Sequence, residues 1–313
     1  MKLLYVVSAS YSGSTLLAFM LGRHPQIATV GELSGPDSKI PPDEQRCSCG
    51  EWLKQCPFWQ RIQQMVTNRG IDFDILRQDK HFRISSSKLW HHLLTRPLPI
   101  GNFEIIRNWL FHLPRLKFRL QHFLSTNVNV MQAICEEQHA EVFLDTSKDI
   151  DRLQLLLFSR ELQISVIHLV RDGRGQTYSK IRRGTPMQQA ARWLVQFDGL
   201  AGRLATKLGT GHFMRLRYED LCQYPLPELD RIADFIGIKP FSASTDIDAP
   251  QPVLHILGNP MKWRGTSTIE IDNRWQQALT PHELQLFERI AGRRNRQFGY
   301  ERTQLPESIA VSV

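Results

Sequence analysis

An apolar run that breaks into a serine-rich turn constrains this chain more than any other feature of its sequence. Residues 3–7 are apolar, residues 8–15 have the sequence Ser-Ala-Ser-Tyr-Ser-Gly-Ser-Thr, and residues 16–21 are apolar again. The pattern predicts a buried strand, a tight turn and a helix in direct succession. Such a turn presents backbone N–H groups and hydroxyls at a helix N-terminus, where an anion is stabilised. The segment therefore indicates an α/β fold and a phosphate or sulfate ligand.

The same turn differs from a Walker A loop. That loop needs a lysine directly after its last glycine, whereas Ser14 follows Gly13 here and Tyr11 precedes Ser12. An ordinary ATP or GTP hydrolase is therefore disfavoured. A serine-rich turn without any ligand is the simpler alternative, because short turns of this composition are common.

Length and composition fit a globular enzyme. The chain has 313 residues, of which 42% are hydrophobic and 22% charged, and we treat residues 1–313 as a single domain. Lysine and arginine number 39 against 31 acidic residues, a formal charge of +8. Such an excess can serve solubility alone, or it can attract nucleotides, polysaccharides, nucleic acid or acidic lipid.

The amino-terminal apolar run does not suit a targeting segment. It covers five residues before the serine-rich turn, which is too short for the core of a signal peptide. No stretch of the sequence approaches the 18 or so uninterrupted apolar residues of a membrane-spanning helix. We therefore expect a cytoplasmic protein with no transmembrane segment.

Strand and helix patterns alternate along most of the chain. Further strands are predicted over residues 27–32, 142–144, 164–170 and 213–218, with helical patterns between them. This alternation predicts a central parallel sheet flanked by helices, with ligands bound beyond the carboxyl ends of the strands. Polar residues at those ends are Glu32, Lys148 and Arg171, and Ser179 follows in the next helix. His168 lies inside an apolar strand and is expected to be a core residue.

Residues 86–139 interrupt the alternation. They are predicted to be mostly helical, with breaks at Pro97–Pro99 and at Pro114, and to form an insertion that covers the core. The basic run at residues 115–119 is most simply a solvated face. It could instead contact an anionic acceptor or a lipid surface.

The five cysteines leave alternatives open. They are Cys47, Cys49, Cys56, Cys135 and Cys222, and an odd number in a cytoplasmic chain argues against a disulfide framework. The first three are close enough in sequence to hold a metal, but a structural zinc needs four ligands, and the fourth would have to be a distant histidine. A local disulfide or free thiols are the alternatives, and we predict no metal site.

The motifs at the strand ends together resemble those of sulfotransferases that use 3′-phosphoadenosine 5′-phosphosulfate. In that family the 5′-phosphosulfate loop has the sequence Lys/Arg-Ser-Gly-Ser/Thr-Thr, which matches Tyr11–Thr15 except at its first position. The family's 3′-phosphate segment is a strand that ends in Arg-Asp, with a serine eight residues after the arginine. Arg171 and Ser179 have that spacing, and residues 217–221 match the later Arg-Tyr-Glu-Asp-Leu motif.

The resemblance extends to the bacterial and tyrosyl-protein branches of the family. His24-Pro25 before Gly31-Glu32 is similar to their segment with the catalytic carboxylate, and residues 145–148 are similar to their Asp-Ser-Ser-Lys stretch. His255, residues 258–262, Asp272 and Trp275 resemble the bacterial C-terminal region. The matches span residues 3–275. They imply the P-loop-like nucleotide-kinase fold of the sulfotransferases.

The resemblance also implies roles for particular residues. The donor would be bound by the loop and by residues of the second segment, namely Tyr11, Ser12, Gly13, Ser14, Thr15, Arg171 and Ser179, with Tyr218, Lys262 and Arg264 as weaker candidates. Lys148 would neutralise charge on the bridging oxygen, and Glu32 would accept the proton of the acceptor. Glu32 could instead be a loop carboxylate paired with Arg23 or Lys39, and Lys148 could be a helix cap or a solvated side chain.

The implied reaction is in-line transfer of a sulfuryl group to a hydroxyl or amine, which leaves 3′,5′-adenosine bisphosphate. The acceptor would be a small molecule, glycan, lipid or peptide, with no nucleic-acid partner, no metal, and possible peripheral contact with a membrane. Tyr11 departs from the family because tyrosine carries no charge near neutral pH.

Two other classes of protein compete with this interpretation. A nucleoside or small-molecule kinase of related fold would need a P-loop lysine and a carboxylate for magnesium, and the lysine is missing. A non-enzymatic protein that binds anions would show strong salt dependence without discriminating between nucleotides.

Overall fold

Five parallel strands form the sheet at the centre of the protein. The computed structural model describes residues 1–34, 40–77, 82, 84–85, 87–95, 103–244, 254–257 and 269–302. The strand order is β2-β3-β1-β4-β5. In chain order the strands are β1 (Lys2–Ser8), β2 (Ile27–Thr29), β3 (Val142–Lys148), β4 (Gln163–Val170) and β5 (Phe213–Arg217).

Helices cover both faces of this sheet. In chain order they are α1 (Ser14–Leu21), α2 (Pro57–Asn68), α3 (Lys88–Thr95), α4 (Phe103–Leu110), α5 (Pro114–Glu137), α6 (Ile150–Leu156), α7 (Gly173–Ile181), α8 (Met187–Leu208), α9 (Tyr218–Gln223), α10 (Pro225–Ile236), α11 (Phe241–Ser244), α12 (Trp275–Ala278), α13 (Pro281–Phe287) and α14 (Arg293–Gln297). A short 3₁₀-helix covers Pro42–Glu44, and one turn of π-helix, Glu288–Gly292, joins α13 to α14.

Alternate side chains of β1 enter two different hydrophobic cores. Leu3, Tyr5 and Val7 pack into the core on one face of the sheet, whereas Leu4 and Val6 pack into the core on the other. A strand buried on both faces can be apolar at every position. This explains why β1 and β4 have nearly continuous apolar sequences, and it confirms the predicted parallel sheet flanked by helices.

The chain reverses its direction of travel across the sheet at β1. It passes from β1 to the edge strand β2, returns to β3, and then crosses β1 to reach β4 and β5. In parallel sheets, the carboxyl ends of the strands at such a reversal border a crevice that binds ligands. The segments that follow β1, β3 and β4 therefore meet at one edge of the sheet.

Strand β3 is longer than the sequence predicts. The predicted loop at residues 145–148 continues the strand, whose pairing with β1 shifts register between Tyr5 and Val7. The strand can remain buried there because Asp145 is fully compensated. Its carboxylate accepts hydrogen bonds from the Ser147 backbone and from two nitrogens of Arg152.

The predicted helical insertion consists of α3, α4 and α5 in the described part of the chain. Its break at Pro114 coincides with the start of α5, and the break at Pro97–Pro99 lies outside the described residues. The second half of α5 packs against β2 and β3 and buries Val130 and Ile134, so this helix covers one face of the sheet. The single-domain assignment stays a prediction.

The first helices of this region leave large apolar side chains exposed. Trp90, Ile105, Trp109 and Phe118 are all more than half exposed, and Phe118 lies within the basic run 115–119. The expectation of peripheral membrane contact stays a prediction. Among the described residues no helix combines the length and hydrophobicity that crossing a membrane requires.

A buried ion pair connects α5, β3 and α6. Arg152 donates to Asp145 Oδ2 from Nε and Nη2, at 3.2 and 3.1 Å, and its third nitrogen, Nη1, donates to Asn127 Oδ1. Both charged side chains are almost completely buried, and the guanidinium lies between the rings of Phe82 and Phe123. Removing one partner would leave a buried charge without compensation.

We therefore expect Asp145→Asn to lower the free energy of unfolding by about 3–5 kcal/mol, because Arg152 would remain buried and charged. Urea denaturation monitored by circular dichroism measures this loss. Glu228→Gln breaks the exposed pair between Glu228 and Arg231 and is the matched control, with an expected loss below about 1 kcal/mol. Equal losses in the two variants would contradict the proposed difference between buried and exposed pairs.

Candidate active site

The loop between β1 and α1 is held in shape from inside the protein. Ser12 Oγ donates to the carbonyl oxygen of Ala9 at 2.6 Å and accepts a hydrogen bond from Gln176 Nε2 at 2.9 Å. The Ser12 hydroxyl is therefore committed to the loop itself. The residues that follow, Ser14 and Thr15, begin α1 and border an open cavity.

Gly13 makes the close approach of a second segment possible. Its φ of +91° lies in the left-handed region, and a Cβ at this position would lie 2.4 Å from Cδ2 of Tyr218. The Tyr218 ring thus rests directly on the glycine, and its hydroxyl donates to the carbonyl oxygen of Glu270 at 3.0 Å. Burial raises the pKa of Tyr218 well above its usual range, so this hydroxyl stays protonated.

A cavity of about 340 Å³ opens beside this loop. The loop, the end of β3, the end of α7 and a C-terminal segment contribute its lining, which consists of Tyr11, Gly13, Ser14, Thr15, Lys148, Ser179, Arg182, Arg183, Asp272 and Arg274. Four of these side chains are cationic and one is a carboxylate. A concave site with such an excess of positive charge attracts anions. Its volume falls within the range of about 300–1,000 Å³ typical of small-molecule sites.

Lys148 brings Glu32 to the edge of this cavity. The Lys148 ammonium donates to Glu32 Oε1, and both side chains are about one-fifth exposed. Lys148 has a φ of +66°, a left-handed conformation that costs a residue other than glycine about 1–2 kcal/mol. The strand end thus holds the ammonium between the predicted base and the cavity.

Arg171 lies behind the loop. Its guanidinium donates to the carbonyl oxygens of Tyr11 and Asp272, at 3.0 and 2.8 Å, and lies 3.2 Å from the Asp272 carboxylate. Ser179 lines the cavity and donates to the carbonyl oxygen of Gly175 at 2.9 Å. The sequence predicts that Arg171 and Ser179 bind one group together. The structure places Ser179 in the cavity wall and Arg171 as a link between the loop and the C-terminal segment.

Two cationic residues of the cavity, Arg182 and Arg183, were not among the predicted site residues. They follow Ser179 by three and four positions, the spacing that places residues on one side of a helix, and this spacing could have indicated them. The Arg183 guanidinium lies 4.6 Å from the centre of the Tyr11 ring, a cation–π contact. A positive charge is therefore present at the place where the sequence has tyrosine.

Asp272 and Arg274 complete the wall from the C-terminal side. Arg274 donates to the two carboxylate oxygens of Asp272 at 2.7 and 2.9 Å. This pairing, assisted by Arg171, holds the pKa of Asp272 well below its usual range, so the carboxylate stays ionised. Sequence reasoning noted Asp272 only as part of a motif, because the partner that connects it to the site, Arg171, is 101 positions away in sequence.

The motif at residues 217–221 braces both loops of the site. Tyr218 packs on Gly13, while Glu219 accepts a hydrogen bond from the backbone N–H of Asp172 at 3.0 Å. The other oxygen of Glu219 accepts from the Tyr300 hydroxyl at 2.6 Å. Adjacent residues of α9 thus fix the turn after β1 and the turn after β4.

One further residue discussed from the sequence lies outside this constellation. His168 is buried in β4, with its Nε2 3.7 Å from Asp198 Oδ1, as expected for a core residue. Lys262 and Arg264 lie outside the described residues.

Comparison with known proteins relates this arrangement to one family. Residues 160–243, which contain Arg171, Ser179 and Tyr218, match the model described as "Sulfotransferase family". No curated protein matches the chain in sequence.

Solved structures of sulfotransferases match this chain over more than nine-tenths of its length, and the one with the TM-score above 0.5 shows the similarity in fold. The sulfotransferase domain from the Synechococcus PCC 7002 olefin synthase shares 18% identity over 96% of this chain and 95% of its own, with a TM-score of 0.54. The sulfotransferase domain from the curacin biosynthetic pathway shares 16% identity over 96% of this chain and 98% of its own, with a TM-score of 0.48. The sulfotransferase STF9 from Mycobacterium avium shares 13% identity over 95% of this chain and 77% of its own, with a TM-score of 0.46.

We expect Gly13→Ala to lower the free energy of unfolding by at least about 2 kcal/mol, because it adds a clash with Tyr218 to the cost of a left-handed backbone. Thermal and urea denaturation measure the loss. Gly70→Ala is the matched control, since Gly70 also has a positive φ, of +78°, with nothing within 4 Å of the added Cβ. That control should lose only about 1 kcal/mol. A Gly13 variant as stable as the control would show that the contact with Tyr218 is not tight.

Proposed function

We propose that this chain is a sulfotransferase that transfers a sulfuryl group from 3′-phosphoadenosine 5′-phosphosulfate to a hydroxyl or amine acceptor, a proposal supported by the family match over residues 160–243 and by the fold. The observation that carries the proposal is the cationic cavity between the β1–α1 loop and the end of α7. The donor is a nucleotide with three anionic groups, and it supplies an activated sulfuryl group bound to a phosphate oxygen. The positive charge of the cavity and the start of α1 at its wall fit such a group.

The β1–α1 loop would bind the 5′-phosphosulfate. Gly13 borders the cavity, and Ser14 and Thr15 offer hydroxyls and N–H groups at the start of α1. Ser12 contributes through its backbone only, because its hydroxyl is bonded to Ala9 and Gln176. Arg182 and Ser179 would bind the 3′-phosphate, with the Ser179 hydroxyl turning from the Gly175 carbonyl to the ligand, and Arg171 would hold the loop in place through its bond to the Tyr11 carbonyl.

Arg183 would supply the charge that Tyr11 lacks. The family's lysine or arginine at the start of the loop contacts the group that is transferred. Here the Tyr11 ring supports the Arg183 guanidinium, which lines the cavity itself. A guanidinium stacked on a ring loses less conformational freedom when it binds an anion than a free lysine does. We therefore assign Arg183 to stabilising negative charge on the sulfuryl oxygens.

Lys148 and Glu32 would perform the proton chemistry. An ammonium has three donors, so Lys148 can hold Glu32 and still contact an anion in the cavity. Lys148 would neutralise charge on the leaving oxygen as its bond to sulfur breaks. Glu32, oriented by the same ammonium, would accept the proton of the attacking hydroxyl or amine. Catalysis would then depend on positioning and charge.

The competing kinase interpretation fits the cavity less well. A kinase needs a carboxylate free to hold magnesium, and among the described residues that line the cavity the carboxylate is Asp272, which is engaged by Arg171 and Arg274. Nucleotide binding distinguishes a sulfotransferase from a kinase and from a non-enzymatic anion-binding protein. Transfer of labelled sulfate into a cell extract distinguishes between a small molecule, a glycan, a lipid and a peptide as the acceptor.

We expect 3′,5′-adenosine bisphosphate to raise the melting temperature, with ATP and Mg²⁺ giving little change, because Ser179 and Arg182 would recognise the 3′-phosphate. Arg183→Ala should weaken binding of the sulfated donor about 10- to 100-fold, the cost of one or two charge-assisted hydrogen bonds. Isothermal titration calorimetry measures this change. Arg119→Ala, in the exposed basic run of α5, is the control and should bind normally. A preference for ATP would favour the kinase, and equal binding of every nucleotide would favour a plain anion-binding protein.

Glu32→Gln should leave donor affinity within about threefold of the wild-type value and lower sulfate transfer by about 10²- to 10⁴-fold, because it removes the base and keeps the shape. The measurement is transfer of labelled sulfate from the donor into the molecules of a cell extract. Glu161→Gln is the control, because Glu161 is an exposed carboxylate just before the start of β4. Full transfer by the Glu32 variant would exclude this residue as the base.

A further inference from the structure

Three cysteines and one histidine meet in a cluster next to the first residues of α2. His255 Nδ1 lies 3.3 Å from Cys47 Sγ and 3.4 Å from Cys56 Sγ, and Cys49 Sγ lies 3.7 Å from Cys56 Sγ. All four potential ligand atoms lie within 4.8 Å of one another. Cys47 and Cys56 are buried, and the other two residues are partly buried. The cluster is separate from the cationic cavity and takes no part in the proposed reaction.

We propose that Cys47, Cys49, Cys56 and His255 bind one structural zinc ion. In a tetrahedral site, Zn–S distances of about 2.3 Å and Zn–N distances of about 2.05 Å place two sulfurs about 3.8 Å apart and a sulfur and a nitrogen about 3.5 Å apart. The separations of 3.3, 3.4 and 3.7 Å in the cluster are close to these values. A disulfide between Cys49 and Cys56 would need its sulfurs about 2.0 Å apart, roughly half of the separation present.

The polypeptide around the cluster is arranged for thiolates. Cys56 is the N-cap of α2, where the helix dipole favours negative charge. Gly50, with a φ of +99°, closes the turn by donating from its N–H to the carbonyl oxygen of Cys47 at 3.0 Å.

The fourth ligand is oriented by packing. The His255 ring stacks parallel on Phe58, with 4.3 Å between the ring centres, and its Nδ1 points at the sulfurs. When zinc binds, the three thiols release their protons to solvent and the imidazole binds through its neutral nitrogen, which leaves a net charge of −1. All four positions belong to the protein, so the site is closed and has no position for a catalytic water.

The zinc would connect two segments that are about 200 positions apart in sequence. The segment of His255 is already bonded to the segment that carries the predicted base, since the Leu257 N–H donates to the carbonyl oxygen of Val30 at 2.7 Å. Ser48 accepts a hydrogen bond from the Ile256 N–H at 2.8 Å on the other side. The metal would therefore fix the segment at residues 254–257, which lies against Gly31, directly before Glu32. This proposal is independent of the identity of the donor and the acceptor.

Metal content tests the proposal directly. The full chain is purified in a thiol reductant without metal-affinity chromatography. Inductively coupled plasma mass spectrometry should then find about one zinc per chain. Cys47→Ser and His255→Ala should lose most of this zinc. His255→Cys, which keeps four ligands, should retain it, and Cys135→Ser is the matched control because Cys135 is a buried cysteine outside the cluster. Zinc that persists in both ligand variants, or that is lost equally from the control, would overturn the proposal.

Cobalt keeps the test decisive if the ligand variants fail to fold. Intact chain whose zinc has been removed by a chelator should bind Co²⁺ with thiolate charge-transfer bands and the strong visible bands of a tetrahedral site. Removal of zinc should lower the melting temperature by about 5 °C or more, and zinc should restore it. Two results would overturn the proposal in a chain that is purified without zinc. One is a disulfide between Cys49 and Cys56, and the other is three thiols that can be alkylated in a chain that gives no cobalt bands.

Discussion

The pairing of β1 with two parallel neighbours determines where every functional group of this protein lies. β1 is hydrogen-bonded to β3 on one side and to β4 on the other, and its side chains enter both hydrophobic cores. A strand enclosed in this way cannot shift its register without moving apolar side chains to the wrong face. The segments after the three strands are thus fixed next to each other, and the cationic cavity forms where they meet.

The sequence is sufficient for the parts of this arrangement that depend on local pattern. Buried strands are continuous apolar runs, and the turn at Gly13 and the polar ends at Glu32, Lys148 and Ser179 follow directly from them. What the sequence could not predict depends on packing between distant segments. The stacking of Arg183 on Tyr11, the pairing of Asp272 with Arg171 and the approach of His255 to three cysteines all join residues with no local signal.

Positive charge in the cavity is distributed differently from the pattern that the sequence resembles. The loop itself carries no cation, and the charge comes from the ends of α7 and β3 and from Arg274. A charge that is held by a neighbouring ring and does not extend from the loop leaves the loop backbone unobstructed. The identity of the residue at position 11 and the location of the charge can therefore vary separately, provided that an arginine reaches the same space.

The bracing of the two loops from the C-terminal side has a consequence for how the protein can be divided. The segment that matches the family model ends at residue 243, yet the turn after β4 is bonded to Asn295, and Glu219 is bonded to Tyr300. A recombinant fragment limited to the matched region would lack β1 and both of these contacts. Without β1, strand β4 would have an unpaired edge, and Arg171 would have no β1–α1 loop to bind. The matched segment thus carries the similarity to the family model, whereas the contacts that shape the cavity extend from β1 to Tyr300.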